Sequence, residues 1–166
     1  FKHMDMRSLV RNYFTFTFIF IVFTACTDNT SGEPEKSAEE IATELLAGLE
    51  GSQTWTVANG RSVSKDGSTV TNDFEGFEIR FIANNTGKTY TAINSNLLFD
   101  SNGNWVFTGS NYDKITLSGI QPASNKEISF TKNQDKLRLE FVVPAPQNAR
   151  VNALAGFYVF DLILLN

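Results

Sequence analysis

The feature that most constrains this chain is a two-residue hydrophobic period that begins after Gln53 and is broken at short intervals by turn residues. Trp55 and Val57 alternate with polar neighbours, and Phe77, Ile79 and Phe81 alternate with Glu78 and Arg80. Trp105 and Phe107, Ile115 and Leu117, and Ile128 and Phe130 are further i, i+2 partners. Leu137, Leu139, Phe141 and Val143 continue the pattern against Arg138 and Glu140. Successive side chains of a strand point to opposite faces, so each segment buries one face and wets the other. Asp66-Gly67 predicts a hairpin turn, and Asn102-Gly103 predicts another between Leu97–Asp100 and Trp105–Thr108. Asn84 to Lys88 and Asn133 to Asp135 predict further reversals. Short spacing with tight turns predicts a mainly β domain, an antiparallel meander of about eight to ten strands. An eight-stranded barrel would remove the sheet edges and enclose at most one small cavity. A β-sandwich satisfies the same periodicity.

Two segments depart from the period. Ser37 and Glu40 have capping-box spacing, which predicts a short helix over Ala38–Leu49 with Gly48 and Gly51 as stops. Ile41, Leu45 and Leu49 form its apolar stripe, with Leu46 beside it. The helix is expected to lie against the sheet or plug one end of it. Ala155 to Leu165 is apolar on both faces, with Asp161 its only charge. A strand of this kind is expected to be covered on both sides, by the helix on one of them. The alternative is an exposed patch that docks a partner.

Ahead of the domain, Arg7 and Arg11 precede an apolar run of 11 residues, Tyr13 to Phe23, which ends in Thr24-Ala25-Cys26. The run is too short to span roughly 30 Å of hydrocarbon and suits a signal-peptide core. Met4 and Met6 are both possible starts. The ending resembles the lipobox of bacterial lipoproteins, although Phe23 stands where Leu, Val or Ile is usual. That resemblance implies a signal peptide over 1–25, acylation of Cys26 and a membrane anchor. Thr27 to Lys36 is small, polar and acidic, so 26–36 reads as a flexible tether and 37–166 as one domain.

These assignments restrict the chemistry. The single His is His3 and the single Cys is Cys26, so the domain from Ser37 onward holds neither imidazole nor thiol. Ser-His-Asp and Cys-His catalysis and His/Cys zinc sites are thereby excluded from it. Removing Lys2, Arg7, Arg11 and Asp5 with the leader leaves 11 basic and 17 acidic residues, a net charge of −6. An acidic surface of that kind repels phosphate backbones and excludes nucleic acid as a partner class. Asp73, Glu75 and Glu78 form the densest acidic cluster, read as solvated charges rather than a hydrolytic pair. Asp100 to Asn104 resembles the start of a calcium loop but has Trp105 at the sixth position, where the loop needs Gly, so no metal or cofactor is expected. Asn84-Asn85-Thr86 matches the N-glycosylation pattern, which would carry little weight in a bacterial context. Most aromatics are expected in the core. If a cavity exists, Trp55, Tyr90 and Trp105 are the candidates to line it against an apolar ligand or a sugar face.

A series of blocks carries a wider resemblance: Ala-Thr-Glu-Leu-Leu (42–46), Trp55-Thr56-Val57, Asp66 to Thr71, Phe74 to Phe77, Thr89-Tyr90-Thr91, Phe99 with Ser101 to Phe107, and Arg150 to Phe160. In order and spacing they resemble the small lipocalin-like lipoproteins of Bacteroidota. That resemblance implies a lipocalin-like barrel in the cell envelope, as an outer-membrane lipoprotein on its periplasmic or cell-surface face. It implies no catalytic residues. The expectation is therefore a lipid-anchored, non-catalytic binding module for a small apolar molecule, a glycan or an envelope protein. An accessory subunit of a surface complex is the alternative, and a carboxylate-only hydrolase ranks last.

Overall fold

The computed structural model describes residues 35–145 and 154–165. The leader, Cys26, the tether up to Pro34 and Arg150–Ala153 lie outside the described residues. Residues from Glu35 onward form one compact unit. Its sheet closes within that unit, so the unit carries its own core.

The chain enters through helix α1 (Ala38–Ala47), whose capping box forms as expected: Ser37 Oγ accepts from Glu40 N, and Ser37 N donates to the Glu40 carboxylate. Gly48, at φ 72°, ends it. Strands β1 (Ser52–Thr56), β2 (Val63–Lys65) and β3 (Ser68–Thr69) follow, then a 3₁₀ turn at Thr71–Phe74. The remaining strands are β4 (Glu78–Asn84), β5 (Gly87–Ile93), β6 (Asn102–Phe107), β7 (Lys114–Leu117), β8 (Ile128–Asn133), β9 (Lys136–Val143) and β10 (Gly156–Leu164). All ladders are antiparallel, in the order β1-β4-β5-β6-β7-β8-β9-β10. Trp55↔Leu164 and Thr56↔Ile163 join β10 back to β1, so these eight strands form a closed, lipocalin-like barrel. The sandwich is thereby eliminated. β2 runs along β10 where β1 leaves off (Val63↔Phe160 to Lys65↔Tyr158), so 57–62 is an insertion in a split first strand.

Alternation places the core. Ile79, Phe81, Trp105, Ile115, Leu117, Leu137, Leu139 and Phe160 point inward and are fully or almost fully buried. Aromatic rings fill the middle: Phe160 lies 5.0 Å from Phe74 and 5.1 Å from Phe77, and Phe99 lies 5.4 Å from Phe141. An eight-stranded barrel is only wide enough for side chains to fill it, and here aromatic ones do. α1 packs on β1 and β4 at one end. The 3₁₀ turn and the loops 94–101 and 118–127 occupy the other, with Phe74, Leu98, Phe99 and Ala123 buried beneath them.

Three expectations about local structure need correction. Asn102-Gly103 is not a turn: both residues belong to β6, and Gly103 pairs with Tyr90. A Cβ on Gly103 would sit 2.6 Å from the Ser118 carbonyl and 2.7 Å from the Tyr90 ring, so glycine serves close approach there. Leu97–Asp100 is correspondingly a loop rather than a strand. The helix buries Ala42, Leu46 and Ala47, while Ile41, Leu45 and Leu49 face outward at 50%, 36% and 79% exposure. β10 buries Tyr158, Phe160 and Leu162 inward, and its outer face is covered only in part: Val159 is buried but Phe157 is 42% exposed, and α1 packs on β1 and β4 rather than on this strand. The turns at Asp66-Gly67, Asn84–Lys88 and Asn133–Asp135 form as expected. Positive φ at both Asp66 (51°) and Gly67 (79°) suits a two-residue hairpin.

Asp100 ties the far end together. Its Oδ2 accepts from Ile120 N (3.0 Å), Gln121 N (3.0 Å) and Ser124 Oγ (2.6 Å), joining two long loops. Burial pushes the carboxyl pKa up, but these hydrogen bonds outweigh it and hold the group below its ordinary value. Because the folded pKa is the lower one, the stabilisation is complete above the ordinary carboxylate range and fades as pH falls through the lowered value. Asp100→Asn is expected to unfold more easily than the parent at neutral pH, with the two denaturation midpoints converging in strong acid. Gly103→Ala is expected to cost about 1–3 kcal/mol through overpacking. The exposed neighbour change Asn102→Ala is expected to stay within about 0.5 kcal/mol. Urea titration of the two variants checks that difference, and equal costs would argue against the close-approach role.

Candidate functional site

The three aromatics expected to line a cavity are all in the core. Trp55, Tyr90 and Trp105 are at most 1% exposed. Each polar atom is satisfied by backbone: Trp55 Nε1 donates to Leu46 O (3.0 Å), Tyr90 Oη to Ser118 O (2.9 Å) and Trp105 Nε1 to Ile82 O (3.2 Å). Trp55 thereby fastens α1 to the barrel. Burial, with the Asp100 charge adding to it, pushes the Tyr90 hydroxyl up to about 12. These residues act as fasteners, and the clefts described below are lined by others.

Around α1 the surface splits into two unlike clefts. On one side, a polar cleft of about 630 Å³ runs between the helix and the β4–β5 turn. Its carboxylates are occupied: Glu44 accepts from Lys36 (2.6 Å), Glu39 pairs with Lys88, and Glu40 serves the helix cap. Lys88 also lies 5.6 Å from the Trp105 ring centre and 5.0 Å from that of Phe107, so it clasps the helix over the aromatic core. The helix cap holds Glu40 below its ordinary pKa through hydrogen bonds from the Ser37 backbone and hydroxyl. Carboxylates tied in this way are poorly placed for acid–base work. The acidic cluster expected at Asp73, Glu75 and Glu78 lies elsewhere, and Asp73 and Glu75 are exposed. Among the described residues, no group of three or more His, Cys, Asp and Glu side chains is placed to hold a metal.

On the other side lies an apolar groove of about 390 Å³. Ala38, Ile41, Ala42 and Leu45 form its helical wall, Asn111, Tyr112 and Asp113 of the β6–β7 loop face them, and Phe130, Thr131 and Lys132 of β8 complete it. Its volume falls in the range of roughly 300–1,000 Å³ typical of small-molecule sites. Tyr112 adopts φ +55°, an uncommon conformation for a bulky residue, and its ring is held edge-on against Phe107 at 5.3 Å. Half-exposed isoleucine and leucine on a short helix are not needed for its packing, since Ala42, Leu46 and Ala47 already bury a face. The groove is therefore a surface suited to an apolar group.

Sequence reasoning missed this groove because it assigned Ile41 and Leu45 to the core. The available signal was width: apolar residues at 41, 42, 45, 46, 47 and 49 cover more of α1 than one barrel end can bury. Among the described residues, no helix is long and apolar enough to cross a membrane.

Comparison with protein-family models, with curated protein sequences and with solved structures found no match. The fold thus stands on the strand register alone, and the site on its geometry.

Because Ile41 and Leu45 are half in water, replacing both with serine is expected to shift the thermal midpoint by only a few degrees. Leu46→Ala, in contrast, is expected to cost about 2–5 kcal/mol. Calorimetry of the two variants checks that the groove wall is separable from the core.

Proposed function

We propose that this chain is a lipid-anchored protein of the bacterial cell envelope, and that its barrel is a non-catalytic binding module whose α1 groove takes a small apolar group. The observation that carries the reading is the groove itself: an apolar wall that the fold does not need, beside a strained tyrosine, at the end of the barrel where the chain enters. The lipobox-like ending at Cys26 supports the anchor, and the likeness to lipocalin-like lipoproteins of Bacteroidota supports an outer-membrane location. Fully extended, the segment from Cys26 to Ser37 reaches roughly 40 Å, which would keep the domain close to the bilayer. Several acyl chains at about 0.8 kcal/mol per buried methylene would hold it there. The absence of imidazole and thiol beyond Cys26 supports binding over catalysis.

A second reading, an accessory subunit of a surface complex, rests on a different observation. Phe157 and Val142 are cross-strand partners on the outer face of β10 and β9, and they are 42% and 56% exposed. Such a pair suits a protein neighbour more than a small ligand.

The anchor is tested by mass spectrometry of the native N-terminus. An acylated Cys26 is expected as the first residue, and a chain retaining Tyr13–Phe23 with an unmodified thiol would refute the anchor. The groove is tested with the uncharged fluorophore N-phenylnaphthylamine. It is expected to bind the parent in the micromolar range, and Ile41→Ser with Leu45→Ser is expected to weaken binding at least tenfold. Equal binding to parent and variant would place the site elsewhere.

A further inference from the structure

The β8–β9 hairpin and the seam strand β10 carry a small charged cleft, of about 230 Å³, on the outer wall of the barrel. Register explains its composition. Thr131 lies opposite Arg138 and Asn133 opposite Lys136 across β8–β9, and Arg138 lies opposite Asp161 of β10. Alternation turns all five outward, away from the buried Leu137 and Leu162. Phe130 and Lys132, which line the α1 groove, are on the opposite face of β8. Arg61 joins the cleft from the 57–62 insertion, which is fixed beside β10 where Ser62 O accepts from Asp161 N (2.9 Å).

The charges here do not cancel. Arg138 Nε lies 3.2 Å from Glu140 Oε1, at the margin, and 3.7 Å from Asp161 Oδ1, so one guanidinium engages both carboxylates. Among the described residues, Arg61 and Lys136 form no ion pair. Arg61 Nε is buried and meets no hydrogen-bond acceptor. A buried donor in that state bears its full desolvation cost and marks a place for a partner. An anionic oxygen answers both defects, the unpaired donor and the uncompensated charge. In a chain of net charge −4, the spot is a local reversal of sign.

The size and charge of the cleft narrow the anion. Its volume is below the range of roughly 300–1,000 Å³ usual for whole small-molecule ligands, so it suits a compact head. Arg61 and Lys136 together match a phosphomonoester, at about −1.5 to −2 near neutral pH, better than they match a single carboxylate. Arg61 offers a planar fork and Lys136 a point charge, while the Thr131 hydroxyl and the Asn133 amide add neutral donors. We infer that this cleft is a site for the phosphoryl group of a phosphomonoester, held by Arg61 and Lys136. The inference does not depend on the α1 groove. A phosphorylated lipid and a soluble phosphate ester offer the same group.

The test uses the chain from Thr27 onward, which keeps the whole barrel unit and has no acylation site. Titration calorimetry at constant ionic strength is expected to show one inorganic phosphate bound per chain, with a dissociation constant of about 1 mM. Chloride is expected to give no binding heat. Arg61→Met keeps the aliphatic stem and removes the guanidinium, and it is expected to weaken phosphate binding by about tenfold or more. Its thermal midpoint without phosphate is expected to be unchanged or higher, because an unpaired buried donor has gone. Lys136→Gln, at an exposed position where folding is not at stake, is expected to weaken binding about threefold. A parent that takes up no phosphate at about 10 mM, or an Arg61→Met variant that binds as the parent does, would overturn the site. A lower phosphate-free midpoint in Arg61→Met would give the guanidinium a structural role and overturn it as well. Flotation with phosphatidylcholine vesicles, with and without phosphatidic acid, separates the two sources. Recruitment only by phosphatidic acid, lost in Arg61→Met, identifies a lipid head. Phosphate binding without recruitment identifies a soluble ester.

Discussion

The pairing of β10 with two partners along one edge is the constraint on which the rest of this structure depends. β1 takes the lower part of that edge through Trp55↔Leu164 and Thr56↔Ile163, and β2 takes the upper part from Val63↔Phe160 to Lys65↔Tyr158. Without this seam the sheet would have two open edges and a half-exposed aromatic layer. With it, Tyr158, Phe160 and Leu162 face inward against rings from the opposite wall. The same split produces the 57–62 insertion, and so places Arg61 beside β9 rather than within the ladder.

The ends of the barrel are finished by different means. At the far end, one carboxylate gathers three donors from a neighbouring loop, a polar solution to ordering long connections. At the near end the work is done by α1, fastened through an indole N–H to the Leu46 carbonyl and through Lys88 to Glu39. Only part of the helix's apolar surface is used in that docking. What is left over forms one wall of the groove, so the candidate site is a by-product of a helix more apolar than its seat requires.

Much of the fold was legible in the sequence because it is encoded locally. Alternation at Leu137 to Val143 and turn chemistry at Asp66-Gly67 each depend on a few consecutive residues, and both were realised. Asn102-Gly103 misled for a physical reason: glycine permits a turn and also permits a tyrosine ring to lie against a strand, and only the partner strand decides which. Barrel and sandwich could not be separated because the deciding contact joins residues about a hundred positions apart. The candidate site was the least legible part. Ile41 and Phe130 meet only because α1 docks on the barrel, and the aromatics that looked most like ligand contacts, Trp55, Tyr90 and Trp105, were taken by the core.

The seam also has a consequence in time. The first strand of the barrel waits for the last, so the wall cannot shut until β10 has been made. Long-range closure of this kind slows acquisition of the native state and leaves the aromatic interior open to solvent for longer. A chain that matures late remains threadable late.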